Sequence, residues 1–199
     1  MKTLRMYPTS LNDRFLDEAV EALSRGEIIV YPTDSLYALG CDALNNNAIE
    51  RLCKIKGVDP RRQTLSIVCS SLSMASEYAR IDNEAFRILR TNLPGPFTFI
   101  LPAATTLPKV FKGRRTVGVR IPDNAIACAL AERLGHPLLS TSIPQAEEGI
   151  DPATVAVDYD ETATVLIDGG EGPATPSTVV DLTDSRSPEI IREGLGELQ

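Results

Sequence analysis

Residues 28–42, IIVYPTDSLYALGCD, constrain the fold more than any other stretch of this chain. The β-branched apolar start predicts a buried strand over 28–31. Pro32 has no N–H and a fixed φ, so ladder pairing should end there. Thr33, Asp34 and Ser35 then gather two hydroxyls and a carboxylate at a strand end, where α/β proteins tend to seat ligands. The alternative is a Pro-Asp turn whose side chains bond only their own backbone. These residues alone leave both readings open.

Apolar periodicity extends the α/β pattern along the chain. Leu11, Phe15, Ala19, Val20 and Leu23 form one stripe of a helix over 11–25, with Ser10 as cap and Gly26 as stop. After the 28–31 strand a loop is expected, then a helix near 47–56 stopped by Gly57. A strand over 64–69 and helices over 72–79 and 83–91 follow, the last capped by Asp82. Strands are expected at 97–101 and 116–121, with an Ala-rich helix capped by Asp123 and ending at Gly135. The strand candidates 138–141, 165–168, 178–182 and 189–192 finish the chain, with a short helix after Asp151-Pro152. One α/β domain over residues 1–199, built on a twisted mixed parallel and antiparallel sheet with flanking helices, is the expected architecture.

Composition narrows the function classes. A hydrophobic share of 43% and a charged share of 24% are ordinary for a globular protein. No apolar run reaches the roughly 20 residues of a membrane span. The start, Met1-Lys2-Thr3-Leu4-Arg5, lacks the apolar stretch of a signal peptide, which points to the cytoplasm. Cys41, Cys53, Cys69 and Cys128 form no CxxC pair and read as buried thiols. His136 is the only histidine, which excludes a histidine-rich metal site and leaves a Ser-His-Asp triad resting on one residue. The net charge of −7 argues against an indiscriminate polyanion binder. Residues 141–199 hold 2 basic and 13 acidic side chains, against 18 and 14 in the rest. That asymmetry suits either a basic pocket in the first part or two differently solvated faces.

The usual phosphate loops are missing: no GxxxxGK[ST] occurs, and no GxGxxG opens a helix. Gly169-Gly170-Glu171-Gly172 reads as a tight connection. Lys54 and Lys56 close a helix, and Arg61 and Arg62 follow in a loop. Arg120 interrupts an apolar strand, where a charge is costly unless it meets an anion, either a protein carboxylate or a ligand. Ser140-Thr141-Ser142 and Ser177-Thr178 add hydroxyls at strand ends. Together with Arg120 and Arg192 they suit a small zwitterion or a phosphate.

YPTDSLYALGCD, the Lys56-Gly57 corner, Pro94-Gly95-Pro96-Phe97-Thr98, TVGVRIP, LLSTS, Asp168-Gly169-Gly170, the segment Pro176–Asp181 and Arg192-Glu193-Gly194 occur in one order over nearly the whole chain. That ordered set resembles the YrdC-type family of threonylcarbamoyl-AMP synthases, and within it the YciO branch. The resemblance implies a YrdC-like fold with a concave basic cavity and no additional C-terminal domain. It also implies a reaction in which threonine, bicarbonate and ATP give threonylcarbamoyl-AMP and pyrophosphate, with Mg²⁺, on the way to a modified adenosine in tRNA. By position, Ser35, Arg120, Ser142 and Ser177 would hold L-threonine, with Arg120 opposite its carboxylate. Lys56, Thr116, Thr154 and Arg192 would face the nucleotide, as would Gln63. Lys56 and Arg120 would carry catalysis by neutralising charge.

Three positions depart from the family pattern. Its Lys-x-Arg corner reads Lys56-Gly57-Val58, its Ser-x-Asn triplet reads Ser142-Ile143-Pro144, and a histidine near threonine in some relatives aligns with Val68. A hydrogen bond to a charged group contributes roughly 1.5–3 kcal/mol, so losing the arginine would weaken ATP binding about 10- to 100-fold. Arg61 or Arg62, in the same loop, can substitute. Charge reversal at both positions is therefore expected to abolish nucleotide binding in a titration, and unchanged affinity would dispose of the substitution. The alternative function is a non-catalytic binder of double-stranded RNA or a nucleotide. An aromatic content of 5% without Trp leaves such a binder few stacking platforms.

Overall fold

The computed structural model describes residues 1–199 except 60–64, 105, 108–114 and 144–149. Among the described residues the chain forms ten strands and six helices in the order β1 (Lys2–Arg5), α1 (Asp13–Ser24), β2 (Ile29–Tyr31), β3 (Ala38–Asp42), α2 (Asn46–Lys56), β4 (Ser66–Val68), α3 (Leu72–Tyr78), α4 (Asn83–Asn92), β5 (Phe97–Pro102), β6 (Thr116–Arg120), α5 (Ala125–Leu134), β7 (Leu138–Ser142), α6 (Pro152–Asp158), β8 (Val165–Asp168), β9 (Thr178–Asp181) and β10 (Glu189–Arg192). All ten strands join one sheet in the order β1-β8-β2-β3-β7-β4-β6-β5-β9-β10. Pairs β1·β8, β2·β8, β4·β6 and β5·β9 are parallel; β2·β3, β3·β7, β4·β7, β5·β6 and β9·β10 are antiparallel. The mixed α/β sheet anticipated above is thus present.

Two apolar layers sandwich the sheet. α1 and α5 supply Leu16, Ala19, Leu23, Ile126, Leu130 and Ala131 to a layer that also takes Leu4, Ile29, Tyr31 and Leu138 from the strands. On the other side Ile49 and Leu52 of α2, Ala75 of α3, Leu89 of α4 and Val155 of α6 pack against Val30, Ile67, Phe99 and Val119. No helix among the described residues is long and apolar enough to cross a membrane. None of the four cysteines is in a disulfide; Cys41, Cys53 and Cys69 are buried as expected, whereas Cys128 is only partly buried.

Two caps and two strands differ from the sequence reading. α1 starts on Asn12, whose side chain accepts from the Phe15 N–H, and not on Ser10. α5 is capped by Asn124, which takes both the Ile126 and Ala127 N–H groups, and Asp123 is left for another role. Asn and Asp cap about equally well, so composition alone could not choose between neighbours. Asp82, Asp151 with Pro152, and the stop at Gly57 stand as expected. β1 was missed because three of its four residues are exposed. The loop expected after Tyr31 contains β3, whose Gly40 and Ala38 carry no strand propensity but pair on both sides.

Gly40 has a packing reason. A Cβ there would lie 2.6 Å from Tyr31 Cε1 and 3.3 Å from Leu138 Cδ2. Gly40 pairs with Ile29 on one side and with Ser140 on the other. The Tyr31 ring packs against Gly40 and donates from its hydroxyl to Ser140 Oγ at 2.6 Å. Gly40→Ala is therefore expected to cost about 1–3 kcal/mol by overpacking, read as a lower midpoint in thermal unfolding.

Candidate functional site

Strand register lays a floor of small polar residues. Ser140 pairs with Ser66, Ser66 with Gly118, and Gly118 with Ile100. Partners across a ladder project to the same face. The sheet interior thus carries a row of hydroxyls and one glycine where bulky apolar side chains would otherwise fill the space. Above it lies a cavity of about 270 Å³. Its lining brings together Ser35, Lys56, Arg120, Ser142, Ser177 and Arg192, six of the residues singled out from the sequence.

Each cation reaches the cavity from a different element. Gly57 adopts φ +70 and ends α2, leaving Lys56 as the last helical residue. Lys56 Nζ donates to the Ser142 carbonyl at 2.5 Å, and burial pushes its pKa below the ordinary lysine value. Arg120, 6% exposed, sits at the end of β6. Its Nη2 donates to Asp34 Oδ1 and to Ser35 Oγ, each at 2.9 Å. Its Nε is buried and has no hydrogen-bond partner among the described residues. Arg192 follows a register shift in β10 between Ile190 and Arg192, an irregularity of the kind that re-aims a side chain. Its Nε and Nη2 donate to the Ser177 carbonyl at 3.3 and 2.8 Å. Desolvation, and next the nearby Arg120 charge, push the Arg192 pKa down.

No carboxylate is among the described lining residues, so three cations face one space with only Asp34 neutralising Arg120 beside it. Of the two alternatives posed for Arg120, the protein carboxylate is present, as Asp34. Asp34 is held up in pKa by burial, against the opposing Arg120 charge. The turn reading of residues 32–36 holds for Thr33, whose Oγ1 donates to the Leu36 carbonyl and accepts from the Ser35 N–H.

Hydroxyls complete the lining. Ser177 Oγ and Thr98 Oγ1 are 3.0 Å apart, and both line the cavity. Ser140 and Thr141, named above as strand-end hydroxyls, also line it, as does Ser66, which was not singled out from sequence. A polar residue inside an otherwise apolar strand was the available signal. The Tyr31 phenol, pushed up to about 12 by burial, stays protonated and available as the donor to Ser140. The remaining wall is apolar, from Leu36, Leu52, Val58, Ile100 and Val179.

Other singled-out positions lie elsewhere. Thr116 begins β6 and Thr154 is exposed in the first turn of α6, hydrogen-bonded to Asp151; neither lines the cavity. Thr178 Oγ1 donates to the Gly196 carbonyl and accepts from the Gly194 N–H, holding the C-terminal segment and not the cavity. Val68 is fully buried in the layer under α1 and α5. His136 is near Asp42, away from the cavity. Arg61, Arg62, Gln63 and Pro144 lie outside the described residues. Gly169 and Gly170 form a tight turn clamped by Tyr37, which donates to the Gly170 carbonyl and accepts from the Gly169 N–H.

Known proteins share this arrangement of elements. The family model for Sua5, YciO and YrdC, described as telomere recombination, matches residues 21–194. The uncharacterized protein YciO of Escherichia coli (strain K12) is 40% identical over 199 residues, covering 98% of this chain and 96% of that protein. The crystal structure of E. coli YciO matches with a TM-score of 0.91 over 100% of this chain and 98% of that one. The threonylcarbamoyl-AMP synthase of Xanthomonas axonopodis pv. citri (strain 306) is 34% identical over 184 residues, 89% of this chain and 97% of that enzyme. P. abyssi Sua5 in complex with L-threonine matches with a TM-score of 0.82 at 30% identity, over 97% of this chain and 57% of that longer one. The chain belongs to the Sua5/YciO/YrdC family, which includes threonylcarbamoyl-AMP synthases.

Proposed function

We propose that the cavity binds L-threonine and the phosphates of ATP, and that the protein forms threonylcarbamoyl-AMP. The observation that carries this reading is the convergence of Lys56, Arg120 and Arg192 on a space with no carboxylate among its described lining residues. A related protein, P. abyssi Sua5, is complexed with L-threonine, and relatives at about 34% identity are threonylcarbamoyl-AMP synthases. In this reading the threonine carboxylate lies against Arg120 and Ser35, and its amine and hydroxyl meet Ser142 and Ser177. Lys56 and Arg192 neutralise phosphate oxygens, and the nucleoside extends toward Thr116 and Thr154.

The chemistry requires no protein nucleophile. The threonine amine adds to the carbon of bicarbonate with loss of water, giving a carbamate. A carbamate oxygen attacks the α-phosphorus, the bond to the β-phosphate oxygen breaks, and pyrophosphate leaves. The protein's contribution is to align the two anions and to offset their charge in a confined site. Mg²⁺ is expected to accompany ATP. No group of three metal-ligating side chains occurs among the described residues, and the described lining offers no carboxylate. Such an ion would therefore be held by the nucleotide's own phosphates and water.

One observation favours a second reading. Val58 places an apolar side chain on the lining where the family pattern has an arginine. A nucleotide or RNA binder without synthesis fits a cavity weakened in this way. Incubation with ATP, labelled bicarbonate and L-threonine separates the two. Pyrophosphate release that requires threonine supports synthesis. RNA retention without ATP that collapses with salt, and no pyrophosphate, would replace it with the binder.

A further inference from the structure

We infer that Asp34 is a positioning residue that holds the Arg120 guanidinium from outside the cavity, so that the guanidinium is presented to the guest carboxylate in a fixed orientation. This rests on the reading of the cavity as an L-threonine site.

The geometry is one of a clamp with two anchored ends. Asp34 Oδ1 accepts from Arg120 Nη2 at 2.9 Å, and Oδ2 accepts from the Asp123 N–H at 2.8 Å. One carboxylate thus ties the segment after β2 to the corner between β6 and α5. Asn124, the next residue, caps α5 with its side chain. Both side chains of the pair are only 8% exposed. Arg120 and Ser35 line the cavity, whereas Asp34 does not. The carboxylate therefore orients the guanidinium without standing in the guest's place. Ser35 Oγ takes Nη2 as well, which leaves Nε as the buried donor without a partner among the described residues.

A carboxylate is the group this position demands. Both partners of Asp34 are donors, and only a side chain with two acceptor oxygens satisfies both. An asparagine has one oxygen and one NH₂, so one of the two bonds must fail whichever way the amide is turned. Support for a ligand-holding arginine by an outer partner follows the same logic as metal ligands held by outer-shell groups.

The test is calorimetric titration of L-threonine and, separately, ATP into wild type, Asp34→Asn and Asp34→Ala, with thermal unfolding in parallel. Asp34→Ala is expected to raise the threonine Kd at least tenfold, and Asp34→Asn by an intermediate factor, with the ATP Kd within twofold of wild type. If Asp34→Ala does not fold, the near-isosteric Asp34→Asn decides. Unchanged threonine affinity in Asp34→Asn overturns the inference. Tighter threonine binding also overturns it, because Asp34 would then be competing with the guest. Equal weakening for threonine and ATP overturns it in favour of a purely structural role. Wild type that binds no threonine removes the underlying site reading itself, which is a different outcome from a wild type that binds while Asp34→Asn matches it.

Discussion

Arg120→Met is expected to remove detectable L-threonine binding and to destabilise the fold at the same time. Two separate effects combine. The guanidinium supplies charge-assisted hydrogen bonds worth roughly 1.5–3 kcal/mol each, so a single lost contact weakens binding about 10- to 100-fold and two exceed that. The substitution also leaves Asp34, 8% exposed, as a buried carboxylate with the Asp123 N–H but no cation. Breaking a buried ion pair by removing one partner costs about 3–5 kcal/mol. For a chain of this size that lowers the unfolding midpoint by about 6–20 °C. Adding Asp34→Asn to Arg120→Met removes the stranded charge, so the double variant is expected to unfold at a higher temperature than Arg120→Met alone. Threonine binding stays absent in both. Wild-type threonine affinity in Arg120→Met would refute the placement of the carboxylate.

Lys56→Met is expected to show the opposite pairing: lost nucleotide binding with no loss of stability. Burial depresses the Lys56 pKa, so the charged ammonium is held in the fold at a cost. The sign follows from proton linkage. Between the depressed folded value and the ordinary lysine value the unfolded chain binds the extra proton, so stability rises with pH across that window. Below both values the cost is fully present, and Met removes it. The unfolding midpoint of Lys56→Met is therefore expected to match or exceed that of wild type. ATP affinity should fall about 10- to 100-fold, the loss of one charge-assisted contact. In wild type the same affinity should decline with rising pH earlier than an ordinary lysine would dictate, and Lys56→Arg should flatten that limb. Titrations from neutral to alkaline pH check both statements. Stabilisation with function lost is the signature of a residue kept for binding.

Helix starts and stops were legible because they are local. Asp82, Asp151 with Pro152 and Gly57 act within one turn of where they stand in the chain. The choice between Asp123 and Asn124 was not legible, because the two residue types cap about equally well and only the backbone path into α5 makes Asn124 the cap. β3 escaped notice for a related reason. Its small residues have no propensity of their own, and its strand character comes from partners on both sides.

Residue type by itself determined that Arg120 must meet an anion and that helices would alternate with strands. Burial cost and periodicity are properties of short segments, so they can be read along the chain. Only the folded sheet decided that Lys56, Arg120 and Arg192 open onto one cavity, that Asp34 braces Arg120 from outside it, and that Ser66 and Ser140 share its floor. Those facts depend on strand order and register, which bring segments up to 163 residues apart into contact. Arg192 is the plainest case. On the chain it is an exposed residue near the end, and a register shift in β10 turns it onto the Ser177 carbonyl.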